Sequence, residues 1–160
     1  MGKTDISFAI ITCSDTRLKE QDSAGAALES LIAEQGWTVL NRALVKDDRA
    51  SIAHEIVRAA DELDADVILT CGGTGLSPRD VTPEATADVC DRAVPGIAEA
   101  MRAYSFRITP FAALSRATCM QRGRHLVVNF PGSEKAAREN WEAIVGILPH
   151  AKKMSAGEGH

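Results

Sequence analysis

D-V-I-L-T-C-G-G-T-G, residues 66–75, decides the fold. Asp66 to Thr70 is a short apolar run of the kind buried on both faces of a parallel sheet. It runs straight into Gly72-Gly73-Thr74-Gly75, where missing side chains allow positive φ and close approach of the backbone to a ligand. Consecutive N–H groups in such a loop can cradle an anion, although four residues of this kind also make a plain tight turn. The loop is neither G-x-x-x-x-G-K-[ST] nor G-x-G-x-x-G, which disfavours the familiar nucleotide folds. Beyond it, Thr82-Pro83-Glu84 reads as a helix start, with Thr82 as N-cap, Pro83 at the first helical position and Glu84 facing the positive helix end.

The same strand-then-helix unit repeats outward in both directions. Ile6 to Thr12 is a nearly continuous apolar run, followed by Ala27, Leu28, Leu31 and Ile32 at helical spacing and a stop at Gly36. A strand over Val39–Val45 precedes Ile52, Ile56, Ala59 and Leu63 on one helical face. Downstream, Ile97, Met101 and Tyr104 mark a helix after Pro95-Gly96, and Phe111 to Ala117 is less regular. Leu126–Phe130 is another buried strand, ended by Pro131-Gly132-Ser133. Ala137, Trp141, Ile144 and Leu148 form the stripe of a last helix. The expected architecture is a three-layer α/β fold, a mainly parallel sheet with helices on both faces. One domain is expected over residues 1–152, with a frayed tail from 151 onward that leaves 153–160 flexible.

In such sheets ligands bind beyond the carboxyl ends of the strands. Segments 12–16, 46–48, 71–80 and 131–133 all follow strands, and there the chain turns polar and glycine-rich. Asp80 is either a loop acid or, with a second carboxylate, a ligand for Mg²⁺, which is held by one or two carboxylates plus phosphates. The second is Asp47 or Asp48; Asp48 could equally cap the following helix, so Asp47 is favoured. Thr12, Ser14, Asp15 and Ser133 add polar groups, Ser133 also being a natural N-cap. Ser115-Arg116 and Arg122-Gly123-Arg124 offer cations.

Composition narrows the classes. With 160 residues, 45% of them hydrophobic and 25% charged, the chain can bury a full core without metal or disulfide support. A net charge of −4 argues against nucleic acid as a partner. Four scattered cysteines show no metal-ligand spacing and read as reduced, mostly buried thiols. No apolar run spans a bilayer and the start lacks a signal core, so no membrane association and a cytoplasmic setting are expected. No histidine, His160 included, pairs with a nucleophile.

C-G-G-T-G-L-S-P-R-D-V-T-P-E-A-T, residues 71–86, resembles the signature of the molybdopterin-binding family, the MogA/MoaB group. The likeness continues in order through S-D at 14–15, V-K-D-D at 45–48, P-G at 95–96 and S-R at 115–116. R-G-x-x-L-V-V-N-F-P-G-S at 122–133 and I-L-P-H-A at 147–151 complete it, so residues 5–152 are covered. The resemblance implies a single α/β domain, assembled as a homotrimer or homohexamer, that transfers AMP from Mg-ATP to molybdopterin and releases pyrophosphate. It makes Asp47 and Asp80 the catalytic, Mg²⁺-holding pair and gives ATP phosphates to Gly72, Gly73, Thr74 and Gly75. Molybdopterin falls to Ser115, Arg116 and the Pro131-Gly132-Ser133 turn, and a molybdate-inserting enzyme is implied as a later partner. The V-K-D-D-R and P-G-S-x-K-A segments lean toward the MoaB-like branch, for which the alternative is a non-catalytic molybdopterin-binding scaffold.

Overall fold

Continuous apolar runs form strands here because both faces of the sheet are covered. The computed structural model describes residues 4–158, and Met1 to Lys3, Gly159 and His160 lie outside the described residues. Its elements are β1 (Ser7–Cys13), α1 (Ser23–Glu34), β2 (Thr38–Val45), α2 (Arg49–Val57), β3 (Val67–Cys71), α3 (Thr82–Val89) and β4 (Arg92–Ala93). They continue with α4 (Pro95–Phe106), a 3-10 segment over Pro110–Leu114, β5 (Cys119–Arg122), β6 (His125–Phe130), α5 (Glu134–Ile144) and α6 (Leu148–Ser155). The sheet order is β2-β1-β3-β6-β5-β4. The first four strands are mutually parallel, and β5 and β4 are added antiparallel at one edge.

Alternation within each run separates the two helical layers. Phe8 and Ile10 of β1, Leu69 of β3 and Val128 of β6 point into a core shared with α1, α4, α5 and α6. Their neighbours Ala9, Ile11, Ile68 and Val127 point into a second core with α2 and α3. Phe8, Trp37 and Trp141 cluster in the first layer with ring centroids 5.7–6.2 Å apart. All four cysteines are free; Cys13, Cys71 and Cys119 are buried and Cys90 is half-buried.

Several local expectations need correction. Helix α3 begins at Thr82, and its N-cap is Val81, which makes no side-chain cap. The last helix is not continuous. After α5 the chain takes a 3-10 turn over Val145–Ile147 and restarts as α6 with Pro149 in its first turn, where the N–H that proline lacks would have no intrahelical partner. The stretch expected to fray from 151 is helical through Ser155, and the far end of that tail falls outside the described residues. Strands β4 and β5 carry no apolar run. Of the two, β4 is the edge strand and β5 lies between it and β6, and Arg122-Gly123-Arg124 forms the tight β5–β6 turn, with Arg122 paired to His125 and Gly123 at φ +57°.

Strand β1 lies between β2 and β3, so the chain leaves it in opposite directions on its two sides. The crevice at the carboxyl ends of β1 and β3 is therefore the switch point where this fold class binds ligands.

Candidate active site

Each of the four loops at that edge is shaped by its own residues before it meets the others. After β2, Asp48 caps α2, accepting hydrogen bonds from Ser51 N (2.9 Å) and Ser51 Oγ (2.7 Å). Those bonds hold its carboxyl below the usual range. Asp47, one residue earlier, turns to the crevice instead, which separates the two aspartates that the sequence left open. Replacing the cap by Asp48→Ala should cost about 1 kcal/mol in urea unfolding and leave any chemistry at Asp47 intact. A turnover loss as deep as that of Asp47→Ala would reverse the two roles.

After β3, the glycine loop passes so close to its surroundings that side chains are excluded. A Cβ on Gly72 would lie 2.6 Å from Cys13 O, and one on Gly73 would lie 2.2 Å from Thr82 Oγ1 and 3.4 Å from Asp47 Oδ1. One on Gly75 would lie 2.8 Å from Asp80 Oδ2. Asp47 and Asp80 thus rest against the same loop, two residues apart along it. Asp80 is aimed by a turn over Ser77–Asp80 with Pro78 at its second position: Asp80 N donates to Ser77 O (2.9 Å) and Ser77 N to Asp80 Oδ2 (3.1 Å). Gly72 N–H donates to Phe130 O, and among the described residues Gly73, Thr74 and Gly75 make no backbone hydrogen bond through their N–H groups. Any anion cradle is therefore at 73–75 rather than across all four positions.

Asp15, after β1, ties the loops together. It exchanges two hydrogen bonds with Asp47, Asp15 N to Asp47 Oδ2 (3.1 Å) and Asp47 N to Asp15 Oδ1 (3.0 Å). It also receives a two-pronged contact from Arg79 at 2.9 and 3.0 Å, which holds its carboxyl below the ordinary range. Ser14 Oγ accepts from the N–H groups of Thr16 and Arg17, and Arg17 reaches Gly132 O (2.7 Å), joining the first loop to the 131–133 turn. Ser133 caps α5 through Ala136 N. Gly132 packs on Gly72, where a Cβ would meet Gly72 Cα at 3.4 Å.

The electrostatics are those of an incomplete polar site. Burial first, and then the neighbouring Asp15 and Asp80 carboxylates, push the Asp47 carboxyl above its usual range. Asp47 Oδ1 and Thr82 Oγ1 are buried and lack any hydrogen-bond partner; such orphaned oxygens carry a desolvation penalty unless a ligand satisfies them. Burial pushes the adjacent Cys13 thiol up to about 12, so it remains neutral there. Among the described residues no group of three or more His, Cys, Asp or Glu is arranged to hold a metal ion. The arrangement instead fits a hard cation that takes two carboxylates and completes its shell with phosphate oxygens and water.

Two sequence-predicted residues have other partners. Thr12 is buried and donates to Asp22 Oδ2 (2.6 Å), part of a network with Arg42 and the start of α1. It is no wall of the crevice. The Arg116 guanidinium makes four hydrogen bonds to protein groups, two backbone carbonyls and the Glu84 carboxylate. Ser115, by contrast, lines a groove of about 310 Å³ beside the glycine loop, with Thr74, Gly75, Phe111, Leu114 and Pro131. Arg79 and Arg17 were not singled out from the sequence, and Thr82 was read only as a helix cap; the R-D-V-T-P stretch contained Arg79 and Thr82, without any sign of which oxygen each would face.

A sequence profile described as "Probable molybdopterin binding domain" matches residues 9–150. The chain belongs to this family. Within the family, it is 34% identical to the molybdopterin adenylyltransferase of Helicobacter pylori, over 95% of this chain and 89% of that one. It is 40% identical to the molybdenum cofactor synthesis protein cinnamon of Drosophila melanogaster over 91% of its own length, spanning only 25% of that longer protein. The crystal structure of the molybdopterin biosynthesis enzyme MoaB from Thermus thermophilus superposes with a TM-score of 0.88 at 44% identity, covering 95% of this chain and 97% of that one. The family fold and the crevice described above therefore occur together in this chain.

Proposed function

We propose that this protein transfers AMP from Mg-ATP to a terminal phosphate oxygen of molybdopterin and releases pyrophosphate. The observation that carries the reading is the convergence of Asp47 and Asp80 on one glycine loop, with an orphaned carboxylate oxygen at its centre. That loop belongs to a family with a relative named as such an enzyme.

The bond that forms joins the acceptor phosphate oxygen to the α-phosphorus of ATP, and the bond that breaks releases pyrophosphate. Negative charge on the phosphoryl oxygens is redistributed in the transition state, so positioning and charge neutralisation suffice. Asp47 and Asp80 would hold the Mg²⁺, which would supply neutralisation of phosphate oxygens and of the leaving pyrophosphate. The N–H groups of residues 73–75 receive phosphate oxygens, and Thr82 Oγ1 offers a further polar contact at the floor. The apolar walls of the groove beside Gly75, with Ser115 at its edge, accept the flat ring of the pterin. Asp15 and Arg79 keep the aspartate loops in register until nucleotide arrives.

The reading extends to a trimeric or hexameric assembly, supported by the exposed Phe106 and Ile108 outside the groove. It also extends to operation in the cytoplasm, where four free thiols stay reduced, and to hand-over of the product to a molybdate-inserting enzyme.

Incubation with molybdopterin, Mg²⁺ and ATP labelled at the α-phosphorus tests it. A labelled AMP–pterin product with one pyrophosphate per turnover is expected. Molybdopterin binding with no pyrophosphate release would instead identify a carrier.

A further inference from the structure

Arg116 does not line the groove beside Gly75, although its neighbour Ser115 does. Its fork reaches four oxygens: Nε donates to Gly75 O (2.7 Å), Nη2 to Asp80 O (2.7 Å), and Nη1 and Nη2 to the Glu84 carboxylate (2.8 and 3.2 Å). Its own N–H donates to Thr74 O (2.8 Å). One side chain therefore pins the end of the glycine loop, the backbone of Asp80 and the first turn of α3. Segment 76–79 between those anchors is exposed and has no regular secondary structure, and Leu76 is 67% exposed. Apart from the Ser77–Asp80 turn, the Arg79–Asp15 pair at the surface and the Thr82 N–H donated to Gly73 O (3.1 Å), the Arg116 fork is what fixes Asp80 against Gly75.

We infer that Arg116 is a positioning residue for the Asp80 carboxylate, acting through the Gly75 and Asp80 carbonyls rather than by touching substrate. The inference rests on the adenylylation reading for its catalytic readout, and on the loop itself for its structural one. A planar fork can bridge two carbonyls and a carboxylate at once, whereas a lysine ammonium is a point charge that cannot span them. Misplacing a catalytic group by about 1 Å costs on the order of 10²-fold in rate.

The test compares Arg116→Lys, Glu84→Gln and Asp80→Asn, with the Arg116→Lys/Asp80→Asn double variant. Arg116→Lys should lower kcat at saturating ATP and Mg²⁺ by roughly 30-fold or more while the urea midpoint moves little. In the Asp80→Asn background the same change should cost less than about threefold, because the group it positions is gone. Glu84→Gln keeps both carbonyl contacts and should stay within about threefold of the parent. A measurement independent of turnover is amide hydrogen exchange: the hydrogen-bonded amides of Ser77, Arg79 and Asp80 should exchange at least about tenfold faster in Arg116→Lys, with β1 and β3 unchanged. An equal loss in both backgrounds, or a Glu84→Gln protein as impaired as Arg116→Lys, overturns the assignment. If the parent protein transfers no AMP, the adenylylation reading fails. The exchange of the Ser77, Arg79 and Asp80 amides then decides the positioning role alone, with unchanged exchange refuting it.

Discussion

Asp47→Ala and Asp80→Ala should each lower kcat/KM for AMP transfer by on the order of 10³-fold, about 4 kcal/mol of transition-state stabilisation. Both carboxylates abut the same loop, and neither has a neighbour able to take its place. Asp48 is held by Ser51 at the cap of α2, and Asp15 is held by Arg79. Circular dichroism should be unchanged, since neither aspartate contributes to either apolar core. Full activity in a folded Asp80→Ala protein would falsify the assignment.

The pH dependence of stability gives the same site a second signature. Burial and the Asp15 carboxylate raise the Asp47 carboxyl above its ordinary value, so the fold disfavours its ionised form. Its contribution to stability is fully present below the ordinary carboxylate pKa, about 4, and is lost as pH rises through the higher folded value. At neutral pH the ionised Asp47 therefore costs stability. Asp47→Asn should unfold at higher urea than the parent at pH 7, and the gap should close as pH falls toward 4. Added Mg²⁺ with ATP should stabilise the parent and not the variant. A less stable, inactive Asp47→Asn protein would mark the residue as a structural anchor instead. Activity and stability pulling apart at one position is what a site held ready for a charged ligand predicts.

Gly72→Ala should be the most damaging single methyl in the chain, costing about 2–4 kcal/mol and lowering Tm by roughly 4–16 °C. Gly72 sits at φ +100°, and the added Cβ would lie 2.6 Å from Cys13 O. That oxygen belongs to the backbone of β1, which is locked between β2 and β3, and Gly132 of the fourth loop packs against the other side. Nothing nearby can move without breaking the sheet edge that carries the site. Gly96→Ala is the matched control. It lies in the first turn of α4, where a Cβ meets nothing within 4 Å, so it should be neutral or stabilise by up to about 1 kcal/mol. Urea midpoints of the two variants measure the contrast, and a Gly72→Ala protein as stable as Gly96→Ala would show that the loop can be displaced.

What the sequence alone determined is what neighbours in the chain can impose. The apolar runs of β1, β3 and β6 could belong only to strands buried on both faces, so the alternating α/β layout was legible. Ser133 read as a cap because its partner, Ala136, is three residues away. The glycine loop and Asp80 stood out because glycine and a helix start are local signals. Strand β4 at the sheet edge and β5 beside it gave no such signal, since their largely exposed or half-buried residues need no apolar run. Strand order, and with it the meeting of Asp15, Asp47, Arg79 and Thr82, was settled only in three dimensions. Arg116 shows the reason: a guanidinium reads the same in sequence whether it faces solvent, a phosphate or two carbonyls 36 and 41 residues away. Only the packing of the 115–116 segment against the glycine loop selects among them.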